Sequence, residues 1–202
     1  MEQDKILKDV FKDFSNNSAI MDTSIVSVNL FKKTNKIDIS LKSNKKVEIA
    51  DISTFEKYIK NKFDIDTIVI KIEYTFNIGE DVIKNEWSQI ICYVAQKFPL
   101  TKAILKDCAP VFNDNKITIN IGVKGKEILQ VRNMDVALSD VIFNLYGKRY
   151  KIEYIEDVSE DAIQKMEEKL KKEEKKAIDS IKVTIPKEEP KPVVEEKKER
   201  KR

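Results

Sequence analysis

This 202-residue chain is rich in lysines and carboxylates but poor in the other side chains that catalysis uses. Histidine is absent, which excludes zinc sites built on Cys and His, Ser-His-Asp triads and imidazole acid-base catalysis, but leaves lysine and carboxylate chemistry open. Two carboxylate pairs, Asp64 with Asp66 and Glu80 with Asp81, have the closeness of a metal or acid-base site. Neither has a glycine loop or a third ligand beside it, so they read as a loop and a helix start. Cys92 and Cys108 lack CxxC spacing and stand among apolar or helical residues, the pattern of buried or half-buried free thiols in a reducing compartment. No catalytic residue, metal ligand or cofactor site follows from these patterns.

Binding chemistry is better represented. Gly122-Val123-Lys124-Gly125 is a GxxG sequence of the kind with which KH domains clamp single-stranded nucleic acid. Lys124, Lys126, Lys148 and Arg149 are the cations available to such a binder. In a KH domain that loop joins two helices, whereas here it joins a strand to a helix, so a plain turn is the preferred reading. Lys148, Arg149 and Lys151 surround Tyr150, but alternation buries Tyr150 and exposes Lys151, as in an edge strand guarded by charge. Trp87 is the single tryptophan, and stacking on a base would be worth ~1–3 kcal/mol. It keeps register with Ile83, Ile90 and Ile91, which assigns it to a core.

The element that positions most of these groups runs from Lys116 to Tyr154. Ile117, Ile119, Ile121 and Val123 alternate with polar residues as in a half-buried strand. Ile128, Val131, Leu138, Val141, Ile142 and Leu145 then recur at helical spacing, predicting one helix of about six turns that Gly147 can end. Tyr150, Ile152 and Tyr154 resume alternation in a returning strand.

Upstream, Ile6, Leu7, Val10, Phe11 and Phe14 form a helical stripe. Val26, Val28 and Leu30, a polar turn at 32–35, and Ile37, Ile39 and Leu41 predict a hairpin. Ser53 to Glu56 has capping-box spacing, with Phe55, Ile59 and Phe63 as the apolar side of the helix that follows. Ile68, Ile70, Ile72 and Tyr74 make a third strand. A new helix carries Ile83, Trp87, Ile90, Ile91, Val94 and Phe98, and Pro99 is expected to stop it. A short helical piece and the hairpin around Asn113-Asp114-Asn115 lead back to Lys116.

The predicted fold class is α+β. It comprises a two-layer α-β-β-α-β module over 1–77 and an α-α-β-β-α-β module over 80–157. A charged helix from Ser159 and a proline-bearing flexible tail fill 158–202. Of the 38 basic and 35 acidic residues, 14 and 12 lie from Ser159 onward, leaving 24 and 23 in the body. A nearly neutral body argues against a duplex-binding domain, which needs a cation for each phosphate it neutralises. No apolar run approaches the ~18 residues of a membrane span, and no leader pattern opens the chain, so a soluble cytoplasmic protein is expected.

The order of elements, the helix from Glu86-Trp87-Ser88, the phrase Phe98-Pro99-Leu100, the hairpin around Asn113 to Lys116 and the charged helix after Ser159 together resemble the N-terminal region of PolC-type DNA polymerase III alpha subunits. In that family two small domains precede an OB fold and the catalytic regions, none of whose acidic metal-binding motifs is matched here. The resemblance implies that the second module is KH-like and similar to the N-terminal domain of DnaA, and that the chain is a non-catalytic docking region in DNA replication, with the clamp-loader tau subunit or another replisome protein as partner. A KH-like binder of single-stranded nucleic acid is the alternative, and neither reading involves a membrane.

Overall fold

The computed structural model describes residues 5–14, 18–122 and 124–156. The expected charged helix after Ser159 and the tail lie outside these residues. Residues 1–158 form one compact unit.

Two three-stranded sheets repeat one plan. In the first, β1 (Ser24–Phe31) and β2 (Lys36–Ser43) form an antiparallel hairpin, and β3 (Thr67–Tyr74) lies parallel to β2 after a crossover. In the second, β4 (Pro110–Asn113) and β5 (Lys116–Ile121) form the hairpin and β6 (Lys151–Glu156) is parallel to β5. A parallel return needs a long crossover, and helices supply it in both. Ile39 and Leu41 stand beside Ile70 and Ile72, and Ile117 and Ile119 beside Ile152 and Tyr154, so each sheet presents one continuous buried face.

The first crossover helix, α2 (Ile49–Phe63), begins before the predicted capping box. Ser53 and Glu56 therefore sit in mid-helix and are buried, so they cap nothing. Its apolar stripe of Ile49, Ile52, Phe55 and Ile59 faces the core, and truncating a fully buried Phe such as Phe55 to Ala costs ~3–5 kcal/mol. Phe63, expected on that stripe, is half exposed.

Several expected helices are broken. At the N-terminus only one turn forms, α1 (Leu7–Val10), because the backbone is used elsewhere: Leu7 N–H donates to Thr23 and Ile25 N–H to Lys5, tying this segment to the start of β1. Phe11 and Phe14 still pack, edge-on and tilted, against Phe55 at 5.3 Å. The helix expected from Ile83 to Phe98 divides at Glu86 into α3 (Glu80–Asn85) and α4 (Trp87–Ala95). Pro99 does not merely stop a helix; it opens α5 (Pro99–Leu105), where its missing N–H costs nothing.

The six-turn helix is likewise two, α6 (Lys126–Val131) and α7 (Met134–Tyr146). Asn133 between them adopts φ 52°, the left-handed conformation Asn tolerates better than most residues. The break turns Ile128 and Val131 away from the core, where they are 50% and 81% exposed. Gly147 ends α7 at φ 72°, as expected.

The two sheets share one apolar cluster. It includes Ile78 in the connection between them, Ile83, Trp87, Ile90 and Ile91 from α3 and α4, and Leu138, Ile142 and Leu145 from α7. Helix α4 lies against α2, and α7 reaches β3 as well as β6.

Candidate docking surfaces

Glu86 occupies the break between α3 and α4, is buried, and receives two donors from distant parts of the chain. Lys46 forms an ion pair with one carboxylate oxygen, and the Tyr146 hydroxyl donates to the other at 2.6 Å. Lys46 also pairs with Glu48 at 2.9 Å. Burial works against the Lys46 charge, but the bonds to Glu86 and Glu48 outweigh it and raise its pKa. Burial first, and then Glu86, push the Tyr146 phenol far above its ordinary range.

A second brace joins α2 to α4. Tyr93 donates to Glu56 Oε1 at 2.5 Å, and Gln96 Nε2 donates to Ser53 Oγ at 3.1 Å. Burial raises the Glu56 pKa, partly opposed by the Tyr93 bond. Glu86 is thus committed to a hydroxyl and an ammonium and Glu56 to a hydroxyl, an arrangement that fixes the geometry of the helices they join. One member of each pair flagged in the sequence makes a structural contact. Asp64 ends α2 at φ 53° and its carbonyl accepts from Asn35 at 2.9 Å; Glu80 accepts from Tyr150 at 3.3 Å. Among the described residues no group of His, Cys, Asp and Glu is arranged to hold a metal ion.

The structure brings the four predicted cations together only in pairs. Lys124, exposed, and Lys126 lie at the start of α6, beside the C-terminal end of β6. There Glu156 Oε1 accepts from Gly125 N–H at 2.9 Å and Lys126 N–H at 2.8 Å, and these bonds lower the Glu156 pKa. The amides that a GxxG clamp would offer to phosphate already hold a carboxylate. Lys148 and Arg149 precede β6 at its other end, where Arg149 pairs with Asp140 at 2.9 Å and stacks on Phe143 at 4.7 Å. Seven positions separate Arg149 from Glu156, roughly 23 Å along a strand. Trp87 is buried, with its indole N–H donating to the Cys108 carbonyl at 2.9 Å, and is therefore core. Cys108 is partly buried, but Cys92 is exposed on the outer side of α4, contrary to expectation.

Sequence reasoning missed two surfaces. One is a groove of about 400 Å³ beside β3, lined by Lys36, Val69, Lys97, Phe98, Phe143 and Arg149, which come from four separate parts of the chain. The other is β1. Its register places Val28 opposite Ile39 and Leu30 opposite Ile37, on the side of the sheet that is elsewhere buried. Yet Val26, Val28 and Leu30 are each 52–53% exposed. The expected strand is present, but no layer among the described residues covers this part of its apolar face.

Residues 85–199, more than half of the chain, match the family model described as DNA polymerase III polC-type N-terminus II. Residues 5–72 match the one described as DNA polymerase III polC-type N-terminus I. No curated protein and no solved structure matches the chain.

Proposed function

The chain belongs to the family of PolC-type DNA polymerase III N-terminal regions, and from that premise we propose that it is a non-catalytic docking unit of a replicative polymerase. Its partner is a replisome protein, with the clamp-loader tau subunit as the first candidate. The observation that carries this reading is how the side chains are used. The buried carboxylates Glu86 and Glu56 brace the helices between the two sheets, while apolar side chains remain outside on β1 and α6. Such a braced unit presents fixed surfaces, which lowers the ordering cost of association.

Pull-down of tau by the folded chain tests the reading. Retention at micromolar concentration is expected, and absence of retention with the chain shown folded would count against it. The single-stranded nucleic-acid reading requires Lys124, Lys126, Lys148 and Arg149 to act along one strand, with Glu156 displaced from the Gly125 and Lys126 amides. It predicts oligonucleotide affinity that falls steeply with salt.

A further inference from the structure

Strand β1 reads Ser-Ile-Val-Ser-Val-Asn-Leu-Phe, eight positions without a charge or a proline. It is an edge strand, paired with β2 on one side. Among the described residues its other side meets the N-terminal segment only at its start, through the Ile6–Ser24 bridge and the bond from Ile25 N–H to Lys5. From Val26 to Phe31 no further strand lies alongside among the described residues.

Unprotected edges of this kind invite pairing, and proteins blunt them with charge, proline, brevity or a covering element. The other edges of these sheets carry such devices. Strand β3 is met by α7, and Lys97 donates to the Ile68 carbonyl at 3.4 Å. Strand β4 has four residues and begins with Pro110. Strand β6 bears Lys151, Glu153 and Glu156. In β1 the one such device is the bulge between Ile25 and Ser27, and beyond it Val28 and Leu30 stay half exposed.

We propose that β1 is a docking edge that takes an extended segment of a partner protein as a fourth strand. This rests on the docking reading above and names the surface and the kind of partner. Main-chain bonds to Val26–Phe31 would supply affinity, and apolar side chains at alternate positions of the incoming segment would cover Val28 and Leu30. Charge selects the partner. Lys32 and Lys33, in the turn after β1, are exposed and without an ion-pair partner among the described residues, so an acidic end on the segment is matched to them. Antiparallel pairing of two β1 strands would instead bring those lysines toward the end of the strand where Lys8 and Lys45 already share Asp22. An acidic, alternating segment therefore fits better than a second copy.

Amide hydrogen exchange on the full chain tests this, read at residues 26–31 with two additions. One is the tau subunit; the other is a synthetic peptide with alternating valines and acidic ends. Slowed exchange at 26–31 with the peptide, abolished by Val28→Lys with Leu30→Lys but kept in Asn29→Lys, is the expected result. If tau binds and protects other residues, and the peptide protects none, the edge assignment is overturned while the docking reading survives. If tau does not bind but the peptide protects 26–31, the edge assignment stands and the choice of partner fails. No protection from either addition, or a dimer of the chain that the lysine variants dissociate, overturns the proposal.

Discussion

The Tyr146 hydroxyl and the Glu86 carboxylate meet at 2.6 Å although sixty residues of sequence separate them, joining the end of α7 to the junction of α3 and α4. With Lys46 on the other carboxylate oxygen, Glu86 draws together the loop between β2 and α2 and the crossover helix of the second sheet. Removing one partner of a buried, hydrogen-bonded charge leaves the others unsatisfied, which is where such a network is sensitive.

Glu86→Leu strips the Tyr146 hydroxyl of its acceptor and leaves the Lys46 ammonium with Glu48 alone. A loss of about 2–3 kcal/mol is expected, measured as a lower urea midpoint with an unchanged slope. Tyr146→Phe removes one bond and leaves the ion pair, so its cost is about 1 kcal/mol.

Glu56 gives a pH signature. Its pKa is raised in the folded protein, so it binds its proton more readily there than in the unfolded chain. The stability it contributes is complete below the ordinary glutamate value of 4.5 and is lost as pH rises through the higher folded value. Glu56→Gln keeps an acceptor for Tyr93 without the buried charge. The variant is therefore expected to be more stable than the parent at pH 7, with the difference shrinking as pH falls toward 4.5; urea titrations at both values measure it.

Asn133 separates α6 from α7 at φ 52°. Asn133→Ala places a Cβ-bearing residue with no compensating polar group in the left-handed region and costs about 1 kcal/mol. Asn133→Gly is neutral to within a few tenths of a kcal/mol. Thermal unfolding of the two variants distinguishes a fixed break from a helix that would close through it.

With Glu156 on the amides of Gly125 and Lys126, and the two cation pairs at opposite ends of β6, a labelled single-stranded oligonucleotide is expected to show no saturable binding even at low salt. Glu156→Gln removes the charge from that site. Saturable binding by the parent chain that involves Lys124 and Arg149 together would instead support the nucleic-acid reading.

The period-two runs were legible because both apolar and polar positions are unambiguous: Ile68, Ile70 and Ile72 in β3, Ile117 and Ile119 in β5, and Tyr150, Ile152 and Tyr154 at β6 are all buried as alternation requires. Helix ends were less legible. Glu48 precedes α2 without a side-chain cap bond, so Ser53 and Glu56 supplied the clearest start signal, although their spacing serves contacts with Tyr93 and Gln96. At Asn133 the apolar spacing runs on through the break, and only backbone conformation reveals it. The Lys46–Glu86–Tyr146 brace joins residues too far apart in sequence for any local pattern to report. Alternation assigned Val28 and Leu30 to a face but carries no information on whether anything covers it.

The docking reading requires a protein partner that this unit binds saturably. Isothermal titration of the full chain with the clamp-loader tau subunit addresses it most directly. A saturable isotherm with a dissociation constant in the micromolar range or tighter, and a negative heat-capacity change from apolar burial, is the predicted result. No heat of binding from a chain whose amide spectrum shows it folded would contradict the account.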